Sequence, residues 1–382
     1  MWAGHPWIYS GAIAEITPGP PVAGALVDVA DADGKHIGIG TFHPAARIAV
    51  RMVARGVFSG DEGALVVSRV QRAAELRRAL GLPSEYTTVF RLVNGDGDGL
   101  PGVVVDALGE VASIELSTSA AERWLPSILE ALQAIGFTAA RVQVPEDAAR
   151  LESMAPGDRF GFGDLDRHVV VLENGIRWNL RPDKGQKTGF YSDQRENRAR
   201  VAAVAAGRSV LDLCCYVGGF ALNAAKAGAR EVVGVDSSGP AVSVAAGTAE
   251  RNGLREACTF HKEDASRFLK ALEARTFDVV VLDPPKLARG REHLDDAYLK
   301  YRALNAEALR HVADGGLMFT FSCSGIVSEE LFLRMVTDAA HLAGSVDVSV
   351  LQALGPGADH LTPIACPEAR YLTGAMVRVR RS

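Results

Sequence analysis

From about residue 200 onward the chain alternates short apolar runs with Ala- and Leu-rich stretches, and this alternation constrains the fold most. The runs 210–213, 231–235, 277–282 and 317–321 are strand-length and are separated by helix-length segments. Parallel strands need long crossovers, so the pattern predicts an α/β domain with a parallel, doubly wound sheet. Ligands of such sheets bind beyond the carboxyl ends of the strands, at the crossover point.

The rest of the chain reads differently. Residues 1–57 are rich in Gly, Pro and short β-type runs (25–30 and 47–53) without helical period, which suggests a small β-barrel-like module. An amphipathic stretch over 62–80 is stopped by Gly81 and Pro83. Residues 86–144 alternate strand, turn, strand, helix and strand. Within them, Asp96 and Asp98 resemble a calcium loop, but Leu100 takes the next ligand position and the closing Glu is missing, so a turn is expected. Residues 145–168 read as a polar connection, and 169–180 as a hairpin around Asn174-Gly175.

With 382 residues, 48% hydrophobic and 23% charged, the chain is expected to fold as two or three domains rather than stay disordered. The apolar runs are too short to span a bilayer, and the first residues lack the features of a signal peptide. Five cysteines without metal-ligand or disulfide spacing point to free thiols, no metal site and a cytoplasmic protein. The net charge of −5 counts against a coating or packaging protein, because phosphate neutralisation dominates nonspecific nucleic-acid affinity. An enzyme with a local basic track is still compatible with it.

The first strand of the sheet runs through Asp212 into Cys214-Cys215-Tyr216-Val217-Gly218-Gly219 and an Ala-rich helix. Glycines let a ligand approach the backbone, and the helix start adds a favourable dipole. The G-x-G-x-x-G of a dinucleotide fold is missing, which disfavours an oxidoreductase. Asp236 ends the second strand, where a carboxylate can bind a ribose diol. Farther on, Glu263-Asp264-Ala265 can set a carboxylate beside an adenine amino group. Each signal has a bland counterpart: a packing turn for the glycines, a helix cap for the acids. Their order and spacing resemble the class I methyltransferase pattern. That resemblance implies S-adenosyl-L-methionine as cofactor, lined by Asp212, Cys214, Gly218, Asp236, Ser237, Asp264, Ala265 and Asp283.

The third strand ends in Asp283-Pro284-Pro285-Lys286, a fixed acceptor followed by a rigid wall for a flat group. Asp-Pro-Pro at this strand resembles methyltransferases that modify a nitrogen or carbon of a nucleobase. The next strand ends in Phe321-Ser322-Cys323-Ser324, which puts Cys323 on the cofactor side. C5 of cytosine is a poor nucleophile until a thiolate adds to C6, so a cysteine here suggests covalent catalysis with Cys323 as nucleophile and Asp283 as partner of the base. Cys366 is the runner-up thiol.

Together these residues carry a family resemblance over the whole chain. The motifs are Gly4-His5-Pro6-Trp7-Ile8-Tyr9-Ser10-Gly11, Gly95-Asp96-Gly97-Asp98-Gly99-Leu100-Pro101-Gly102, Lys187-Thr188-Gly189-Phe190-Tyr191-Ser192-Asp193-Gln194-Arg195, Asp283-Pro284-Pro285-Lys286 and Phe321-Ser322-Cys323-Ser324. The chain resembles the bacterial large-subunit ribosomal RNA cytosine-C5 methyltransferases with an N-terminal PUA domain. The resemblance implies a PUA-like RNA-binding domain over 1–70, a central α/β domain over 71–170 and the methyltransferase domain over 171–382. It also implies Phe190, Asp193 and Arg195 as cofactor or active-site contacts, Pro284, Pro285 and Lys286 at the substrate, 23S ribosomal RNA or its large-subunit precursor as partner, and a homodimer. Members of the family carry a further basic strand before Gly-His-Pro-Trp, so a shortened amino terminus is expected. His5, Trp7 and Tyr9 are expected in the core of the first module rather than on a base.

Two basic groups flank the predicted pocket and could hold RNA phosphates: Arg177, Arg181, Lys184, Lys187, Arg195, Arg198, Arg200 and Arg208, then Lys286, Arg289 and Arg291. The target base must be flipped out or single-stranded to reach Asp283 and Cys323. Two other readings stay open: an RNA base N-methyltransferase with Cys323 structural, and a noncatalytic RNA-binding ribosome assembly factor.

Overall fold

The structure is a computed structural model that describes residues 4–166, 168–181, 190–288, 290–344 and 346–381. The chain forms two compact units. The first comprises Met1–Glu173, Asn179–Asp193 and Ala358–Ala369; the second, Asn174–Trp178, Gln194–Gly357 and Arg370–Ser382.

The first unit opens with β1 (Trp7–Tyr9), β2 (Leu26–Ala30), β3 (His36–Phe42) and β4 (Ile48–Arg55), an antiparallel sheet ordered β1-β4-β3-β2. Phe42, Ala49, Val50 and Met52 form its small core. Helix α1 (Glu62–Ala79) follows; Asp61 caps it by accepting from the Ala64 N–H, and Gly81, at φ +78°, follows its end. Then come β5 (Val89–Asn94), β6 (Val103–Leu108), β7 (Val111–Leu116), α2 (Ser119–Ala134), β8 (Ala139–Val144), α3 (Glu146–Leu151) and β9 (Gly157–Phe162). Their five strands lie in order β5-β6-β7-β8-β9; α2 makes the parallel crossover from β7 to β8, and the other pairs are antiparallel. Val66 and Val70 of α1 share one core with Ile39 and Val53 of the small sheet and Leu92 and Ile114 of the large one.

Two expectations change here. Segment 145–168 is not a plain connection: it holds α3 and the edge strand β9, whose Arg159 pairs with Glu122 of α2 at 2.6 Å. Short, polar and glycine-containing, β9 lacks the apolar alternation that marks a strand in sequence. The reading of 86–144 also missed one strand, because β6 and β7 are joined by a tight turn at Gly109 (φ +63°) and run together as one apolar segment.

The Gly95–Asp98 turn is structural. Asp98 accepts from the Arg77 guanidinium at 2.8 Å and from the Asn94 N–H at 2.6 Å. The Trp7 indole donates to Asp96 at 3.1 Å, so the Gly-His-Pro-Trp segment is bonded to this turn. Arg77, fully buried, also donates to the carbonyls of Arg91 and Asp359, and Arg91 pairs with Asp106 at 2.7 Å.

A two-stranded ribbon follows in sequence, β10 (Val169–Glu173) and β11 (Ile176–Leu180). Both turn residues, Asn174 (φ +52°) and Gly175 (φ +74°), are left-handed, as the favoured two-residue hairpin turn requires.

The second unit contains α4 (Arg195–Ala205), β12 (Ser209–Leu213), α5 (Gly219–Lys226), β13 (Glu231–Asp236), α6 (Gly239–Arg251), β14 (Cys258–Lys262), α7 (Ala265–Ala271), β15 (Phe277–Leu282), α8 (Leu294–Arg310), β16 (Val312–Ser322), α9 (Glu329–Ala343), β17 (Val346–Leu354) and β18 (Thr373–Arg381). The sheet order is β14-β13-β12-β15-β16-β18-β17, parallel through β16, with β18 antiparallel to both neighbours. Apolar clusters cover both faces, as a doubly wound sheet requires. Among the described residues no helix is long and apolar enough to cross a membrane.

Arg77→Ala would leave Asp98 buried beside no guanidinium. It is expected to destabilise the protein by about 3–5 kcal/mol, seen as a lower urea midpoint. A loss under about 1 kcal/mol would place this pair with ordinary surface ion pairs instead.

Candidate active site

The chain reverses direction in the sheet at β12, whose neighbours are β13 and β15, and the carboxyl ends of these strands carry the candidate residues. The loop after β12 is sharply folded: Cys214 (φ +59°), Tyr216 (φ +49°) and Gly218 (φ +84°) are all left-handed. For non-glycine residues this backbone is costly and gathers at functional sites. Two carboxylates hold the loop. Asp212 Oδ2 accepts from the Ala221 N–H in the first turn of α5 at 2.9 Å. Asp236 Oδ2 accepts from the Tyr216 N–H and its Oδ1 from the Ser238 N–H, both at 2.8 Å.

Asp212 is fully buried, and its Oδ1 has no hydrogen-bond partner. Burial pushes its carboxyl up to about 8; the Asp283 and Asp236 charges add to this, while the Ala221 N–H and Arg198 oppose it. The Cys214 thiol is pushed far above its ordinary range, first by burial and then by Asp283, Asp236, Asp212 and Asp264. Four carboxylates therefore act on one sulfur, which shows how closely these strand ends converge. Asp264, exposed, caps α7 by accepting from the N–H groups of Ser266 and Arg267; Ala265 behind it is buried, and Ser237 is exposed.

The glycine pair also leaves room for the protein's own side chains. A Cβ on Gly218 would meet the Phe260 ring at 3.0 Å and Ala245 at 3.1 Å, and one on Gly219 would meet the Arg198 guanidinium at 2.5 Å. Protein side chains fill that space. Arg198 lies under the start of α5, 5.7 Å from the Phe220 ring centroid.

On the other side of β12, the Asp283 N–H donates to the Leu213 carbonyl at 3.3 Å and ties the two loops. Asp283 is half-buried, Pro284 buried, and Pro285 and Lys286 exposed. Leu282 of β15 is in register with Thr320 of β16, so Cys323 emerges at the same edge of the sheet. Cys323 is half-buried and packs against the cluster of Phe220 and Phe321, whose rings stack at 5.5 Å. The other thiols are unsuited to nucleophilic work: burial is the first cause pushing up Cys214 and Cys215, and it takes Cys258 and Cys366 to about 12.

Phe190, buried, and Asp193 belong to the first unit, whereas Arg195 begins α4 of the second. Cys366 also lies in the first unit, in a cluster with His5 and Glu368. His5 Nδ1 accepts from the Trp7 N–H at 3.0 Å, so in the neutral ring Nε2 carries the proton that faces Glu368. Lys184, Lys187, Thr188, Gly189 and Arg289 fall outside the described residues. The basic track is thinner than its sequence suggests. Arg195 and Arg198 are buried, Arg181 pairs with Asp166 at 2.8 Å, and Arg177, Arg208 and Lys286 are exposed. The sequence reading passed over Tyr301 and gave Ser324 no role, yet the two hydrogen-bond beside Cys323 at 3.1 Å.

Comparison with known proteins agrees with this geometry. Residues 1–55 match a PUA-like domain, and residues 157–347 match the S-adenosylmethionine-dependent methyltransferase family. The ribosomal RNA large subunit methyltransferase I of Shewanella denitrificans is 36% identical over 98% of this chain and 95% of its own length. The chain belongs to the ribosomal RNA large subunit methyltransferase I family. Its namesake from Aeromonas hydrophila is 34% identical, over 98% of this chain and 96% of its own. Among solved structures, a protein described as a methyltransferase and complexed with SAH superposes with a TM-score of 0.83 at 20% identity, covering 98% of this chain and 96% of that one. A Streptococcus mutans protein described as a SAM-dependent methyltransferase gives 0.80 at 19%, covering 97% and 95%. The second unit thus has the class I methyltransferase fold, and the protein is a methyltransferase that uses S-adenosylmethionine. An orphaned buried carboxylate oxygen on Asp212, amid three other acids, fits a ligand with a sulfonium and an ammonium group.

The Asp212 carboxyl has a pH signature. Its native value of about 8 lies above the ordinary 3.8, so between these the native state holds more protons than the unfolded chain. Stability from this group is complete below the lower value and is lost as pH rises through the upper. Asp212→Asn does not titrate. The stability of cofactor-free wild type relative to this variant should fall across that window, at up to about 1.4 kcal/mol per pH unit. Parallel pH profiles in denaturant unfolding would show that Asp212 is not held protonated.

Proposed function

We propose that this methyltransferase modifies C5 of a cytosine in large-subunit ribosomal RNA, 23S or its precursor, with Cys323 as covalent nucleophile. One observation carries the reading: Cys323, a half-buried thiol, emerges from β16 at the edge where Asp283 leaves the neighbouring β15. The four other thiols are pushed up, which leaves none of them a good source of thiolate near neutral pH.

The cofactor supplies an electrophilic methyl group on a sulfonium sulfur. Cys323 adds as thiolate to C6 of the ring, and the electron pair of the 5,6 bond moves to C5, which takes the methyl group. Loss of the C5 proton to a base then re-forms the double bond, and the Cys323 sulfur leaves C6 as thiolate. Asp283 accepts a hydrogen bond from the N4–N3 edge and favours N3 protonation, which makes C6 more electrophilic. Pro284 and Pro285 form a rigid wall, and Lys286 neutralises a nearby phosphate.

Asp212, Cys214, Gly218, Asp236, Ser237, Asp264 and Ala265 line the cofactor in this reading; Phe190, Asp193 and Arg195 enter it on the family resemblance alone. The names of the curated relatives support the ribosomal substrate. The PUA-like match supports an RNA-docking module within residues 1–70, ahead of a central domain (71–170) and the methyltransferase domain (171–382). A homodimer, by family resemblance, and a cytoplasmic location, from the unpaired cysteine pattern, complete the proposal.

Ribosomal RNA containing 5-fluorocytidine tests the chemistry, since fluorine at C5 cannot leave as a proton does. With cofactor present, wild type should stall as a covalent RNA–protein adduct, and Cys323→Ala should form none and lose methyl transfer. Full activity of Cys323→Ala on unmodified RNA, with no adduct in wild type, would sink the C5 mechanism in favour of N-methylation.

A further inference from the structure

Tyr301 is fully buried on α8, and no motif of the sequence includes it. Its hydroxyl lies 3.1 Å from Ser324 Oγ, and the Ser322 hydroxyl is a second group that acts on it. Ser324 Oγ accepts the Ala288 N–H at 3.3 Å, and Ser322 Oγ accepts the Ser324 N–H at 3.3 Å. One helical turn farther along α8, Asn305 bonds to the Tyr301 carbonyl at 2.8 Å and accepts from the Thr320 hydroxyl at 2.7 Å. Tyr301 and Asn305, at i and i+4, thus grip positions 324 and 320 of the segment that ends β16, and Ser322 is tied in through the Ser324 N–H. Cys323 lies between the two serines and packs elsewhere, against the Phe220 and Phe321 cluster.

The grip extends beyond β16. Ala288 is five residues after Asp283, in the loop that also holds Pro284, Pro285 and Lys286. One serine hydroxyl therefore bonds to the helix and to the loop from the neighbouring strand.

We propose that Tyr301 is a positioning residue for the methyl-transfer reaction: through Ser322 and Ser324 its hydroxyl sets the Cys323 segment against the Asp283–Lys286 loop. The inference rests on Cys323 being the nucleophile. Thiol and carboxylate must address one flat base together, C6 from its face and the N3–N4 edge from its side. A small rotation of the 322–324 segment would move sulfur relative to carboxylate without unfolding either strand. Burial holds the Tyr301 phenol above its ordinary range.

The test is the rate of adduct formation on 5-fluorocytidine RNA by wild type, Tyr301→Phe, Ser324→Ala and the double variant, with Cys323→Ala as control. Tyr301→Phe removes one oxygen and keeps the ring. Because small misplacements of reacting groups are costly, adduct formation and kcat should fall together on the order of 10- to 100-fold. RNA KM and cofactor Kd should stay near wild type. Ser324→Ala should give a similar loss, and the double variant little more than either single one, because both remove the same bond. If Tyr301→Phe does not fold, Ser324→Ala carries the kcat measurement alone. A wild type that forms the adduct alongside variants that form it equally fast would overturn the positioning role and leave the nucleophile intact. A wild type without adduct, and Cys323→Ala with full activity, would overturn the nucleophile and this proposal with it.

Discussion

Parallel pairing of β12 with β13 on one side and β15 on the other is the constraint from which the site follows. All strands from β14 to β16 point the same way, so their carboxyl ends share one edge and every loop that leaves them starts there. Because β12 sits where the order reverses, its loop has neighbours on both sides. Asp236 reaches it from β13 and accepts from Tyr216, while Asp283 reaches it from β15 and donates its N–H to Leu213. The backbone strain at Cys214 and Tyr216 persists because the loop is held from two directions.

This arrangement has an electrostatic consequence. Strand ends brought together bring their acids together, and Asp212 in the middle has no route to water. Its carboxyl responds by holding a proton, and the Cys214 thiol responds in the same sense. Arg198 offsets part of the charge from beneath α5, where Gly219 leaves it room. A cationic ligand is the natural complement of such an edge, which is why the sequence pattern and the charge pattern agree on the cofactor. The chain's negative net charge is compatible with an RNA enzyme for a related reason: acids gather at the carboxyl ends of the strands, while cations such as Arg177, Arg208 and Lys286 are exposed.

Much of this was legible in the sequence wherever one physical rule acts alone. The strand cores at 210–213 and 277–282, the hairpin turn at Asn174-Gly175 and the helix stopped before Gly81 all follow from periodicity and backbone preference. The failures occur where a tertiary partner decides. β9 becomes a strand because β8 offers it an edge, and its own composition does not say so. The Gly218-Gly219 pair also serves packing, with Phe260, Ala245 and Arg198 standing where its Cβ atoms would be, and no sequence pattern shows that. Arg195 and Arg198 look like part of a basic track because charge is visible in a sequence and burial is not.

Tyr301 belongs to the same class of hidden residue, and it bears on how one strand can serve two purposes. Successive residues of a strand face opposite ways, so the end of β16 can be bonded on one side and carry its thiol on the other. Thr320, Ser322 and Ser324 take the bonded side, with hydroxyls that need partners once buried, and Tyr301 and Asn305 supply them. Phe321 and Cys323 take the other side, toward the aromatic cluster. A run of small hydroxyl residues around a cysteine is therefore more than filler. Each hydroxyl fixes a backbone position that an alanine would leave to packing alone, and a thiol placed between two such anchors inherits their precision.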